Sequence, residues 1–402
     1  MQGSIISSSR IIIATHELYY GAPQALRDYL VGKHGKELVY ISHPIRPENT
    51  KSQKDLYKNG KLLHSFSFAR PSGSAWWFGV DFFLTIVWVI KQRGTYDVYI
   101  GVDPLNCLAG LVLRTLGLAR TVIFYSIDFT PKRFPQRLLN SMYHGIESLC
   151  VRFADMRWDI SPRIAEGREK FLGLKQKDYP VTVVPVGMWE KDIASPNTNF
   201  DPHRIVFVGH LLKKQGVDKV LEALFIVRKK IKDVTLLIIG GGEEEGSLRR
   251  LASKLHLGKN VEFTGWMWDQ EEIRKLLLGC AFAVATYDPQ GAQEDNFTYY
   301  ADPTKIKTYL SCGLPVIMTN VPFNAGDLAR RGCAVIVDYD EKSIAKVLID
   351  VLTDKEKLET MRKSAIKTAG EFTWEEIFKK TLSGEGCDPF GFLEGSHPSI
   401  AQ

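Results

Sequence analysis

Cysteine is sparse and unpatterned in this chain of 402 residues: six occur, at 107, 150, 280, 312, 333 and 387, and no Cys-x-x-Cys brings two together. That spacing argues against a zinc ribbon or a disulfide framework and suits a reducing compartment. Long apolar runs are lacking as well. The run in Ser9-Arg-Ile-Ile-Ile-Ala-Thr15 is far shorter than the apolar region of a signal peptide, so none is expected and the chain reads as cytoplasmic. No Gly-x-Ser-x-Gly elbow occurs, and Gly240-Gly-Gly242 is not Gly-x-Gly-x-x-Gly. A serine hydrolase and a dinucleotide-dependent dehydrogenase are therefore disfavoured. Neither a basic helix nor an aromatic ribonucleoprotein signature accompanies the net charge of +6, which argues against nucleic acid as a partner.

What is present is an ordinary globular composition, 45% hydrophobic and 24% charged, at a length that implies two domains. Charge is uneven: through residue 190, 24 Lys+Arg oppose 16 Asp+Glu, and the remainder has 28 against 30. The first half either carries solvated surface charge or faces an anionic partner, such as a membrane surface or an acidic ligand. Short β-branched runs at Arg10–Thr15, Leu38–Ile41, Tyr96–Gly101 and Thr121–Tyr125 alternate with amphipathic stretches at Ala22–Val31 and Leu105–Leu116. This order predicts an α/β fold with a parallel sheet covered by helices. Asp192–Pro202, rich in Pro, Asn, Asp and Ser, reads as a linker. The rhythm restarts after it, with strands at Arg204–Gly209, Thr235–Ile239, Val261–Phe263, Ala281–Val284 and Pro315–Met318. The expected division is a first α/β domain over 1–195, a second over 196–370, a helix over 371–382 and a disordered or loosely attached tail over 383–402.

The stretch Ala75–Ile90 is the most apolar in the chain, but it contains Asp81 and falls short of the roughly 20 residues that span a bilayer. It is either a core helix on the first sheet or an interfacial contact, with Trp76, Trp77 and the basic Lys132-Arg133 on an acceptor or membrane face. His144, His256 and His397 lack any partner pattern and read as surface residues.

Two features converge on an anionic ligand. Gly209-His-Leu-Leu-Lys-Lys-Gln-Gly216 follows a strand and precedes a helix, placing His210, Lys213 and Lys214 in a loop whose glycines admit close approach. Asp302-Pro-Thr-Lys-Ile-Lys-Thr-Tyr309 reads as a helix start with Pro303 in its first turn and Asp302 or Thr304 as cap. Lys305 sits in that first turn, where a cation is unfavourable unless an anion is present too.

The succession GHLLKKQG, IIGGG, NVEFTGW and DPTKIKTYLSCGLPVI resembles the nucleotide-sugar-binding half of the GT-B glycosyltransferases, family 4 of the retaining enzymes. The resemblance covers nearly all of residues 10–382, with FTWEEIF similar to the family's last helices, which cross back onto the first domain. It implies two Rossmann-like domains facing each other across a cleft. It also implies transfer of a sugar from a UDP- or GDP-sugar, with retention, to a glycan, lipid-linked or small-molecule acceptor. A peripheral place on the inner membrane face accompanies that reading. By position, Gly21, His210, Lys214, Thr304 and Lys305 would meet the donor diphosphate. Gly240 and Gly241 with Trp266 and Met267 would meet the nucleotide, and Glu294 and Asp295 the sugar hydroxyls. The cations would neutralise the departing nucleoside diphosphate, so neither a metal nor a cofactor is expected. Asp128, after a first-half strand, would orient or activate the acceptor hydroxyl, or else cap a turn; Asp103 has the same two readings. Three departures stand out: His210 replaces the family's arginine, Gln215 its lysine, and the paired glutamates fall at Tyr300 and Thr308. Two rival readings follow, a GT-B nucleotide-sugar epimerase and a non-catalytic glycan- or nucleotide-binding protein.

Overall fold

Apolar strands and one-faced helices in this chain bury themselves around two separate sheets rather than one. The computed structural model describes residues 10–17, 20–33, 37–45, 51–69, 76–196, 199–290 and 297–384. In chain order the first elements are β1 (Ile11–Glu17), α1 (Ala22–Lys33), β2 (Glu37–Pro44), β3 (Lys51–Lys58), β4 (Lys61–Ala69), α2 (Trp76–Ile90), β5 (Tyr96–Val102), α3 (Pro104–Thr115), β6 (Ala119–Ser126), α4 (Arg137–Phe153), β7 (Met156–Asp159), α5 (Pro162–Leu172) and β8 (Thr182–Val183). Then come β9 (Arg204–Val208), α6 (Val217–Val227), β10 (Thr235–Ile239), α7 (Glu245–Lys254), β11 (Val261–Gly265), α8 (Gln270–Leu278), β12 (Phe282–Ala285), α9 (Phe297–Tyr300), α10 (Thr304–Ser311), β13 (Val316–Met318), α11 (Ala325–Arg330), β14 (Ala334–Ile336), α12 (Glu341–Leu352), α13 (Lys355–Glu371) and α14 (Trp374–Ser383).

The chain divides into unit 1, Met1–Val186 with Trp374–Asp388, and unit 2, which holds Gly187–Thr373. The division precedes the polar stretch read as a linker. That stretch is tied into unit 2 by backbone bonds, Ala194 N–H to the Ser311 carbonyl at 2.7 Å and Asp201 N–H to Gly279 at 3.1 Å. The chain returns to unit 1 in α14, where Phe378 meets Tyr29 of α1 at 5.5 Å between ring centroids. From residue 385 onward the expected tail lies outside the described residues.

Unit 1 carries an eight-stranded sheet in the order β4-β3-β2-β1-β5-β6-β7-β8. Its pairs from β2 to β8 are parallel, and β3 and β4 extend it as an antiparallel hairpin. The hairpin turns at Asn59 and Gly60, with φ of 50° and 73°. Positive φ at both positions is what an Asn-Gly turn supplies to match the strand twist. Unit 2 carries a parallel sheet in the order β11-β10-β9-β12-β13-β14, with Leu221 and Leu224 of α6 and Leu348 and Val351 of α12 in one core on it. In each sheet the chain leaves a central strand in both directions: β1 lies between β2 and β5, and β9 between β10 and β12. Ligands of open α/β sheets bind beyond the carboxyl ends of the strands at such a reversal.

The helix α2 is built inside out. Asp81, Thr85, Trp88 and Val89 are buried, while Trp76 and Phe83 are 74% and 65% exposed, with Val87 and Ile90 exposed beside them. The exposed positions recur at helical spacing and form one stripe. Among the described residues no helix is long and apolar enough to cross a membrane. His144 departs from its expected surface place: it is buried, between Glu147 at 3.2 Å and the Pro131 carbonyl at 3.0 Å. Glu147 in turn meets Arg168, whose guanidinium is 2% exposed and holds both oxygens of Asp159 at 2.8 and 2.9 Å.

Candidate functional site

In unit 2 two glycine loops run against each other at the reversal. Gly209 after β9 and Gly240 after β10 take φ of 144° and 136°, and a Cβ on Gly240 would lie 2.0 Å from the Gly209 carbonyl oxygen. Only glycine fits there. A Cβ on Gly241 would lie 2.6 Å from the Trp266 indole nitrogen. Trp266 stacks on Trp268 at 5.8 Å and tilts against His210 at 5.2 Å, so His210 lies beside the residues read as nucleotide-binding. Met267 packs into the adjacent core.

Lys305 reaches under this loop. Its Nζ donates to Gln215 Oε1 at 2.7 Å and sits 4.3 Å from the Phe207 ring centroid and 4.6 Å from that of Tyr287. Burial lowers its pKa to about 7, and among the described residues no carboxylate offsets that burial. A cation with two aromatic faces and a neutral amide is poised for an anion. Gln215, a departure from the family pattern, is thus the partner of Lys305. The cap differs from the expected one. Pro303 is the N-cap of α10, with no side-chain cap hydrogen bond, and Thr304 is the exposed first helical residue. Asp302 instead takes the Lys307 ammonium at 3.1 Å on both oxygens. Lys213 is ion-paired with Asp218, whereas the Lys214 carbonyl accepts from Asp288 N–H at 3.0 Å, which holds the loop to the end of β12. Glu294 and Asp295 lie outside the described residues. Asp338-Tyr-Asp340 is a carboxylate pair that the sequence reading missed; Asp340 caps α12 through the N–H groups of Lys342 and Ser343.

In unit 1, Gly21 precedes α1 and its N–H donates to Gln24 Oε1 at 2.9 Å. Asp128 is ion-paired with Arg133, which lies 5.6 Å over the Tyr143 ring; Lys132 is exposed and Trp77 half-buried. The sequence reading missed a row of polar residues behind Asp103. His16 Nδ1 lies 2.7 Å from Asp103 Oδ2, and its Nε2 lies 3.5 Å from Asp81 Oδ2. His43 meets Asp81 at 3.3 Å, Ser52 at 2.9 Å and Thr85 at 2.7 Å. Burial works against charge on His16, but Asp103 and then Asp81 outweigh it and raise the pKa to about 9. For His43 burial prevails and lowers the pKa.

Residues 189–368 match the family model of Glycosyl transferases group 1. Among curated proteins, an uncharacterized glycosyltransferase of Haemophilus influenzae is 30% identical over 119 residues, covering 25% of this chain and 34% of its own. The GDP-mannose-dependent monoacylated alpha-(1-6)-phosphatidylinositol monomannoside mannosyltransferase of Corynebacterium glutamicum is 28% identical over 174 residues, 41% of this chain and 42% of its own. The chain thus spans well under half the length of these curated relatives. Among solved structures, Anabaena HepE in complex with UDP superposes with a TM-score of 0.63 at 15% identity, covering 94% of this chain and 99% of its own. WaaG, a glycosyltransferase involved in lipopolysaccharide biosynthesis, gives 0.62 at 14%, covering 92% of this chain and 98% of its own. The fold is GT-B, and residues 189–368 are similar to the glycosyl transferases group 1.

Proposed function

We propose that this chain transfers a sugar from a nucleoside diphosphate sugar, UDP- or GDP-linked, to a hydroxyl of a glycan, lipid-linked or small-molecule acceptor, with retention of anomeric configuration. The observation that carries the reading is Lys305, a half-buried lysine whose ammonium has a neutral partner, in the first turn of a helix that has no side-chain cap. Helix amino termini and buried cations together hold phosphate oxygens. In this reading Lys305 and Lys214 offset the charge that develops on the departing diphosphate. Gly240, Gly241, Trp266 and Met267 bound the nucleotide, with His210 beside them. HepE was solved with UDP, which accords with a nucleotide donor.

Asp128, held by Arg133, orients the acceptor hydroxyl. The exposed stripe of α2 and the basic residues near it are the face for an acceptor at a membrane surface. A non-catalytic binding protein is the second reading, favoured by Tyr300 and Thr308 where the glutamate pair is expected. A thermal-shift panel of UDP, GDP, ADP and TDP, with and without the attached sugar, tests the reading, since binding at a hundred times Kd adds about 2.7 kcal/mol. One selective stabiliser, followed by its release from the nucleotide sugar, supports transfer. Binding without turnover supports the second reading, and no shift at all refutes both.

A further inference from the structure

Two lysines of α10 face different surroundings, and the carboxylate before the helix serves the second of them. Asp302 precedes the helix, Lys305 stands in its first turn and Lys307 follows two residues later. Side chains two apart on a helix do not face each other. Lys305 accordingly lies against Phe207, Tyr287 and Gln215, whereas Lys307 turns to Asp302 and sits 4.7 Å from the Phe372 ring centroid. The Asp302 and Lys307 side chains are 0% and 1% exposed, and Asn324 Nδ2 donates to Asp302 Oδ1 at 3.4 Å.

The spacing made another pairing available. Residues three apart at a helix start are within reach of each other, so Asp302 could meet Lys305. It does not: burial is the cause of the lowered Lys305 pKa, and no charge of Asp302 opposes it. Stability does not account for the choice, because a buried ion pair gains little over apolar side chains of the same volume. The consequence is local. A carboxylate turned toward Lys305 would neutralise the ammonium, repel an anion and compete for the N–H groups of a helix start that carries no side-chain cap.

We propose that Lys307 is a positioning residue that holds the Asp302 carboxylate away from Lys305, so that the first turn of α10 stays open to an anionic ligand. The inference rests on the glycosyltransferase reading above for the identity of that ligand, the donor diphosphate. Lys307 acts through Asp302 rather than on the ligand.

Competitive acetylation of the full chain, read by mass spectrometry at Lys305 across pH, measures its pKa with no nucleotide present. Thermal-shift titrations with UDP and GDP run beside it. The wild-type Lys305 should titrate near the value of about 7 that burial gives it. Lys307→Met should raise that pKa by at least about one unit, the effect of an opposite charge within reach. Lys307→Gln keeps a donor for Asp302, which guards the fold, and should raise it by less. In both variants nucleotide affinity at pH 7 should fall, by roughly tenfold for Met, while its decline with pH starts correspondingly higher. A merely structural role would leave that midpoint where it is in the wild type. Asp302→Asn/Lys307→Gln keeps the hydrogen bond without either charge and should return both the Lys305 pKa and the affinity toward wild type. A Lys305 pKa unmoved in both single variants overturns the proposal, and so does a double variant that behaves like Lys307→Gln. If no nucleotide shifts the wild type while the Lys305 pKa moves as expected, the donor reading falls and the held carboxylate stands.

Discussion

The Lys305 ammonium donates to Gln215 Oε1 at 2.7 Å, so the polar partner of this half-buried cation is a neutral amide. Burial has lowered its pKa from 10.5 to about 7, and a bound diphosphate would favour the charged form. Folding and ligand binding then respond to pH in opposite directions. The unfolded chain keeps this proton up to about 10.5 and the free folded protein only to about 7, so this group makes the free protein more stable as pH rises across that window. Nucleotide affinity is fully present below 7 and weakens above it, by roughly tenfold per pH unit. Lys305→Met should remove that pH dependence along with most of the affinity. Thermal shifts with UDP and GDP read at several pH values measure both trends, and affinity that rose with pH would refute the assignment.

Asp128 is paired with Arg133, whose pKa is raised by Asp128 and also, more weakly, by Asp103. An oriented carboxylate beside an acceptor hydroxyl contributes about 10²–10⁴-fold to a transfer rate. Asp128→Asn should therefore lower turnover by roughly a hundredfold while leaving UDP or GDP binding intact. Turnover within twofold of wild type would reduce the pair to a turn-stabilising ion pair.

Arg168 is a separate matter of stability. Its guanidinium is buried between Asp159 and Glu147, and removing it strands two carboxylates. Arg168→Met should cost about 3–5 kcal/mol in urea unfolding. Replacing all three residues by apolar ones of similar volume should recover most of that loss. If the single variant unfolded like the wild type, the network would be bearing no load.

These residues show which parts of the molecule the sequence exposed. Strands such as Thr235–Ile239 and the glycine at Gly240 were readable because periodicity and backbone freedom are local properties. The β3–β4 hairpin was missed although Asn59-Gly60 between two strand-like runs announces it. Hydrophobic spacing found the α2 helix but does not say which face is buried, and here the polar Asp81 and Thr85 are inside. The pairing of His16 with Asp81 and Asp103 joins three distant stretches, and no spacing rule reaches that far. The Lys305–Gln215 contact was hidden for the same reason, although the misplaced charge of Lys305 was visible.

The exposed stripe of α2 yields the last prediction. Trp76, Phe83, Val87 and Ile90 face outward, and Phe66 of β4, also exposed, meets Trp88 edge-on at 5.9 Å, so the apolar surface continues onto the hairpin. Lys54 pairs in register with Phe66 and feels the charge of Lys91 at the end of α2, with Arg93 two residues on. An apolar stripe with a basic rim fits the interface of an anionic bilayer. Sedimentation with phosphatidylglycerol vesicles should capture the protein, phosphatidylcholine vesicles should capture much less, and added salt should release it. Removing Lys54 or Lys91 should each weaken binding roughly fivefold, as about 1 kcal/mol per basic residue requires. Phe83→Glu should abolish binding while leaving the nucleotide shift unchanged, because its ring is exposed and lies in the other unit. Equal capture by both lipids would leave the basic rim without a role, and no capture by either would make the stripe a face for another protein.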